Sequence, residues 1–106
     1  MPVTVVRYTT TPERADENAA LVEEVYAELA AAEPEGLRYA TFRLADGVTF
    51  VHVASVETAD GTNPLTSTAA FGRFSAAIAE RCVEPPVATA ATVVGAYGWP
   101  LPVSGD

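Results

Sequence analysis

Lysine is absent from this chain of 106 residues, and cysteine, histidine and tryptophan occur once each. A single cysteine, Cys82, excludes an internal disulfide. One histidine, one cysteine and no clustered aspartate pair are too few to build a zinc site or a facial triad, so no metal is expected. There is no glycine-rich loop for a phosphate or dinucleotide, and Ser67 and Ser75 lack the strand-turn-helix setting of a nucleophile elbow. No cofactor is expected. No apolar run approaches the roughly 20 residues needed to cross a bilayer. The segment Met1–Arg7 has no basic stretch ahead of an apolar one and no cleavage signal, and reads as the first strand of a cytoplasmic protein.

What is present is globular in composition, with 49% hydrophobic and 19% charged residues. The length suits one domain with one modest core. The formal charge is −8, and all the positive charges are arginine. So acidic a surface repels phosphate backbones, which argues against nucleic acid as a partner. The acids crowd between Glu13 and Glu35, as on the solvated face of one helix.

Val3 to Thr9 is rich in β-branched residues and suits a strand. Thr11-Pro12-Glu13 then supplies an N-cap, a proline at the first helical position and an acid in the positive first turn. Leu21, Val22, Val25, Leu29 and Ala32 recur at helical spacing, which predicts a helix to about Glu33, stopped by Pro34 and Gly36. Two strands follow, Leu37–Ala45 and Val48–Glu57, joined by a tight Asp46-Gly47 turn. In that register the numbers of opposed residues sum to about 93, so Arg43 faces Phe50, Thr41 faces His52 and Tyr39 faces Ala54. Asn63 or Ser67 caps a second helix, whose stripe of Phe71, Phe74, Ile78 and Cys82 carries it to about Cys82. Cys82 reads as a small buried hydrophobe of that helix. Pro85-Pro86 closes the helix, and a last strand runs from about Val87 to Gly98, ahead of an extended tail over 99–106.

The order β-α-β-β-α-β predicts a ferredoxin-like α+β fold over residues 1–98: a four-stranded antiparallel sheet, order 4-1-3-2, with both helices on one face. The last strand is then an edge. Val87–Tyr97 carries no charge, and both its faces are apolar. Such an edge invites pairing unless something covers it, which predicts a homodimer. Trp99 is expected to pack on the partner.

The pattern resembles the antibiotic biosynthesis monooxygenase family of dimeric α+β barrels, over residues 3 to 98. The best-matched stretch runs Glu35-Gly36-Leu37-Arg38-Tyr39, crosses the hairpin and returns through Phe50-Val51-His52-Val53-Ala54-Ser55-Val56-Glu57. Tyr39, Phe50 and Glu57 stand where the family's pattern expects them, whereas Val56 replaces a tryptophan. The resemblance implies a dimer and, in some members, cofactor-independent oxidation of phenolic, polyketide-like compounds to quinones. Haem degradation, a second activity of the family, is disfavoured because Arg7 and Thr9 stand on the first strand where an asparagine is expected.

Oxygenation without a cofactor needs a group that generates or holds a substrate anion in a pocket that excludes water. Tyr39, Thr41, Arg43, Phe50 and His52 share one face of the hairpin and form the candidate site. His52 and Arg43 are the candidate catalytic pair, with His52 as base and Arg43 or Arg7 holding the anion. Tyr39, Thr41, Phe50, Arg7 and Asn18 are candidate substrate contacts. The alternative keeps His52 as a hydrogen-bonded core residue opposite Thr41, puts the arginines in ion pairs, and leaves Asn18 exposed or capping. The opposite face, Ala40, Phe42, Leu44, Val51 and Val53, reads as plain core. The chain is then a small-molecule oxygenase, a non-catalytic ligand-binding module, or a structural dimer.

Overall fold

In the computed structural model, which describes residues 3–98, the β-branched run Val3–Thr10 is strand β1. A single 3-10 turn over Pro12–Arg14 leads into helix α1, Ala15–Ala32. Thr11 has the extended backbone of a cap residue, but its hydroxyl makes no capping bond and is buried without a partner. Pro12 thus starts a separate turn and not α1. Helix α1 ends at Glu33 in the left-handed region, φ 46°. Gly36 follows at φ 80°, and a Cβ there would run into the Glu57 carbonyl, so only glycine fits where the chain enters the hairpin.

Strand β2, Leu37–Arg43, and strand β3, Thr49–Val56, pair antiparallel with Tyr39 opposite Ala54, Thr41 opposite His52 and Arg43 opposite Phe50. The expected register holds, but the turn is longer than a two-residue one. The Gly47 N–H donates to the Leu44 carbonyl, and the Asp46 carboxylate accepts from the Val48 and Thr49 N–H groups and the Thr49 hydroxyl. Leu44 still bonds Thr49, which preserves the pairing sum.

Helix α2, Ala69–Ala76, is capped by Thr68, whose hydroxyl accepts from the Phe71 N–H; neither Asn63 nor Ser67 takes that position. Asn63 accepts from the Leu65 N–H instead. The Glu28 carboxylate of α1 accepts from the Ala69 and Ala70 N–H groups, so one helix caps the other. The predicted single helix breaks at Ala77 (φ −128°), and a four-residue helix α3, Ile78–Arg81, completes it.

Strand β4 is Cys82–Ala91, not Val87–Gly98. Cys82 therefore opens a strand. Pro85 and Pro86 lie inside that strand because β4 is an edge, where a missing N–H removes no bond on the solvent side. The pairing with β1 slips between Arg7 and Thr9, where the prolines interrupt the ladder. The sheet order is β2-β3-β1-β4, as expected for a ferredoxin-like α+β domain. The predicted tail 99–106, with Trp99, lies outside the described residues.

Helices α1 and α2 cover one face of the sheet. Tyr8 and Phe50 of the strands pack there with Val22, Val25, Ala70 and Phe74 of the helices. Since side chains alternate along a strand, the face of Tyr39, Phe50 and His52 is the inner one. Val51 and Val53, read above as core, belong to the outer face, and both are only half-buried.

Candidate functional site

The inner face of the sheet carries polar side chains where a core of this size would ordinarily be aliphatic. His52 is 4% exposed, and both its ring nitrogens are engaged. Nε2 lies 2.7 Å from the Tyr8 hydroxyl; Nδ1 lies 2.5 Å from the Tyr39 hydroxyl and 3.1 Å from that of Thr41. The chain of contacts continues in both directions. Asn18, fully buried on α1, donates its Nδ2 to the Tyr8 oxygen at 2.8 Å, and Tyr26 meets Thr41 at 2.8 Å. Beyond Asn18 stands Arg81, 1% exposed: Nε donates to Asn18 Oδ1 at 3.0 Å and Nη2 to the Phe74 carbonyl at 2.6 Å. Its guanidinium carbon sits 5.4 Å from the centre of the Phe74 ring. Among the described residues no carboxylate pairs with it. A buried cation held by neutral acceptors and an aromatic face is costly to desolvate, and it biases its surroundings towards negative charge.

Burial governs the ionisation of this network. It lowers the His52 pKa from an ordinary 6.5 to about 4, so the ring is neutral near pH 7. It raises that of Tyr8 to about 12, opposed by the Asn18 hydrogen bond, and pushes Tyr39 and Tyr26 upward, each opposed by Thr41. The phenols are therefore donors and acceptors, not bases.

Under α2 a cavity of about 330 Å³ opens onto this network. Tyr8, Tyr39 and His52 form its polar end. Phe71, Phe74, Ile78 and Leu65 line it from the helices and the loop before them, and Val6, Ala54 and Val56 from the sheet. Asn63, Thr66 and Ser75 add polar atoms on the helix side. Such a chamber, mostly apolar with a few convergent polar groups, is the usual form of a small-molecule site.

The candidate residues divide. Tyr39 and His52 line the cavity, and Asn18 and Thr41 touch it through Tyr8 and His52. Phe50 stacks on Tyr8, with ring centres 5.5 Å apart, inside the core. Thr41, Arg43 and Phe50 instead line a shallower groove against α1, with Tyr26. Arg43 donates to the Gly47 carbonyl, pairs with Asp16 at 3.1 Å and does not line the cavity. Arg7 alternates with Tyr8 and so faces the outer side of the sheet, opposite Val51 and Val87. His52 keeps no nitrogen free to take a substrate proton directly.

Arg81, Tyr8 and Tyr26 are members of the network that stand outside the candidate residues named from the sequence. Tyr8 reads as a rim residue of the core from its strand alone. Arg81 did leave a signal: it falls seven residues after Phe74 and three after Ile78, a charge on an apolar stripe.

Solved structures with this architecture give it a family likeness. A structure named antibiotic biosynthesis monooxygenase superposes with a TM-score of 0.71 over 90% of this chain and all of its own, at 20% identity. Rv0793 from Mycobacterium tuberculosis matches with a TM-score of 0.70 at 19% identity, over 91% of this chain and 98% of its own. The chain has the antibiotic biosynthesis monooxygenase fold. A mutant of SnoaB, a cofactor-independent oxygenase from Streptomyces nogalater, shares this fold, with a TM-score of 0.65 at 16% identity over 92% and 96% of the two chains. No family model matches the sequence, and no curated protein matches it. Identities this low carry the fold and leave the chemistry to the cavity.

Proposed function

We propose that this chain is a cofactor-independent oxygenase that takes a compact phenolic, polyketide-like molecule into the cavity under α2 and oxidises it to a quinone. The observation that carries this reading is the cavity itself: an apolar chamber whose polar end is the hydroxyl and imidazole cluster of Tyr39, His52 and Tyr8. The fold shared with SnoaB supports it.

The chemistry asks little of the protein. A phenolate passes one electron to O2, the radical pair closes a C–O bond, and the resulting hydroperoxide loses water. One phenol and one O2 give one quinone and one water, and the substrate supplies every electron. The protein's part is to bind the anion, exclude water and hold the ring. Phe71 and Phe74 offer it aromatic faces, with their own ring centres 5.8 Å apart. Tyr39 offers the anion a hydroxyl, and the buried charge of Arg81 favours the ionised form. His52, saturated by its neighbours, orients Tyr39 and takes no proton. The cavity therefore draws on the fraction of the phenol that solvent has already ionised, and the rate should rise with pH towards the phenol's own pKa.

Oxygen uptake tests the reading. Purified protein with a panel of dihydroxynaphthalenes and anthrones consumes O2 and places one atom of 18O2 in the product, and Tyr39→Phe slows the rate at least about tenfold. The absence of uptake across the panel, together with tight binding of the same compounds, would replace it with a second reading, a non-catalytic carrier. The engagement of both His52 nitrogens favours that alternative.

We also propose that the chain works as a homodimer, the outer sheet face of one copy meeting that of another. Val5, Val51 and Val53 are half-buried there, and Val87 of β4 is 62% exposed. Sedimentation at micromolar concentration finds a dimer, and Val53→Asp shifts it to monomer. An 11 kDa species for the unmodified protein rules this out.

A further inference from the structure

Every hydrogen bond in the buried network has two ends, and only one of its members has no choice about which it supplies. Arginine is a donor with no acceptor atom. Arg81 Nε lies 3.0 Å from the side-chain amide of Asn18, so the atom it meets is the amide oxygen. That places Asn18 Nδ2, a donor, 2.8 Å from the Tyr8 oxygen. Tyr8 is 1% exposed, and its own proton then has His52 Nε2 as the acceptor, at 2.7 Å. A neutral imidazole that accepts at Nε2 carries its hydrogen on Nδ1. Nδ1–H therefore donates to the Tyr39 oxygen at 2.5 Å, with the Thr41 oxygen at 3.1 Å beside it. The Thr41 hydroxyl, free to accept from Tyr26, donates to the same Tyr39 oxygen, so the hydroxyl hydrogen of Tyr39 is what remains for the cavity that Tyr39 lines.

We infer that Arg81 sets a one-way relay through Asn18, Tyr8 and His52 that presents the Tyr39 hydroxyl to the cavity as a donor, so that the cavity selects ligands whose inward polar atom is an acceptor, a carbonyl or phenolate oxygen. Arg81 and Asn18 touch no ligand and are positioning residues. The ligand class rests on the cavity being the binding site proposed above; the direction of the relay does not. A ligand that brings a donor instead would set two hydrogens against each other at the buried end of the cavity, a mismatch that approaches the cost of a buried polar group left without a partner. The direction also fits a substrate that binds as its anion and a quinone product, since both present oxygen acceptors.

A single substitution reverses the relay. In Asn18→Asp the carboxylate only accepts. It still pairs with Arg81, but it takes the Tyr8 hydrogen. The Tyr8 oxygen then accepts from His52 Nε2–H, Nδ1 becomes the acceptor for Tyr39, and Tyr39 turns from donor to acceptor towards the cavity. Two measurements read this. The 15N–1H correlation pattern of His52 reports the Nδ1–H tautomer in the unmodified protein and the Nε2–H tautomer in Asn18→Asp. Dissociation constants for two bicyclic probes, 1-tetralone (an acceptor only) and indole (a donor only), report the cavity. The unmodified protein prefers 1-tetralone, and Asn18→Asp moves the ratio about tenfold towards indole.

An Nε2–H tautomer in the unmodified protein overturns the inference, whatever the variant does. So does an unchanged probe ratio in a folded Asn18→Asp. Should that variant fail to fold, Tyr39→Phe serves in its place, because loss of the hydroxyl abolishes the preference for 1-tetralone; a preference that survives it also overturns the inference. None of these readings needs turnover. Absence of O2 uptake alongside the predicted tautomer and preference therefore removes the oxygenase and leaves the relay standing.

Discussion

On the helix-facing side of the sheet Tyr8, His52 and Tyr39 bury polar atoms and find partners for them on α1, on β2 and, through Asn18, at the end of α3. On the other side Val5, Val51 and Val53 offer no polar side-chain atom and remain half-exposed. The outer side has buried polar atoms of its own, in Thr49 and Ser55, but the Ser55 hydroxyl finds no partner and no network joins the two. A satisfied network in a dry interior fixes ring orientations and tautomers that an aliphatic core would leave undefined, at the risk of a large penalty if one member is lost. The valines of the outer side have no such constraint, and the apolar surface they leave half-exposed is what a second copy would cover.

Neighbouring residues on opposite sides test that contrast most strongly. Phe50→Ala, which removes a ring stacked on Tyr8, is expected to lower stability by about 4 kcal/mol in urea denaturation. Val51→Ala costs about 1 kcal/mol or less in dilute monomer, with a larger, concentration-dependent loss if a partner covers it. Equal losses at every concentration would show that the outer side is packed as tightly as the inner one.

The second test is pH. Unfolded His52 titrates near 6.5 and folded His52 near 4, so between those values the unfolded chain holds more protons and stability rises with pH. The contribution is fully present above about pH 6.5 and is lost as pH falls towards 4, on the order of 3 kcal/mol in all. Comparing stability against pH for the unmodified protein and His52→Gln isolates it from the carboxylates. Parallel curves would mean that His52 is wetter than its 4% exposure implies.

The smallest expected effect belongs to Arg43. Its partner Asp16 is 95% exposed, and Arg43 lies outside the cavity, so Arg43→Ala should cost no more than about 1 kcal/mol and leave the binding of 1-tetralone unchanged. A loss of binding beyond tenfold would return Arg43 to the site.

Local signals in the sequence were enough for the hairpin. A one-residue slip would turn Tyr39, Thr41 and His52 to the other face, so alternation settles the pairing even though the turn contains more residues than Asp46 and Gly47 alone. They failed at β4. Pro85-Pro86 marks a stop in most settings, and only its place at an edge lets a strand run through it. They failed also for the end of the second helix, where the backbone at Ala77 leaves helical geometry and turns Arg81 inward. The face of Ala40, Phe42, Val51 and Val53 has the composition of a core, but composition does not say which side the helices cover, and they cover the polar one. A polar side chain signals an interior when its partners come from distant parts of the chain, as Asn18 and Arg81 do.

The sequence by itself determined the order of elements, the sheet topology and the register of the central hairpin, because each depends on periodicity and turn chemistry within a few residues. Tertiary structure alone decided which face is interior, where β4 begins, and that Arg81, 63 residues from Asn18 along the chain, completes the His52 network. Those depend on contacts between groups far apart in sequence, and burial changes their energies by more than any local preference.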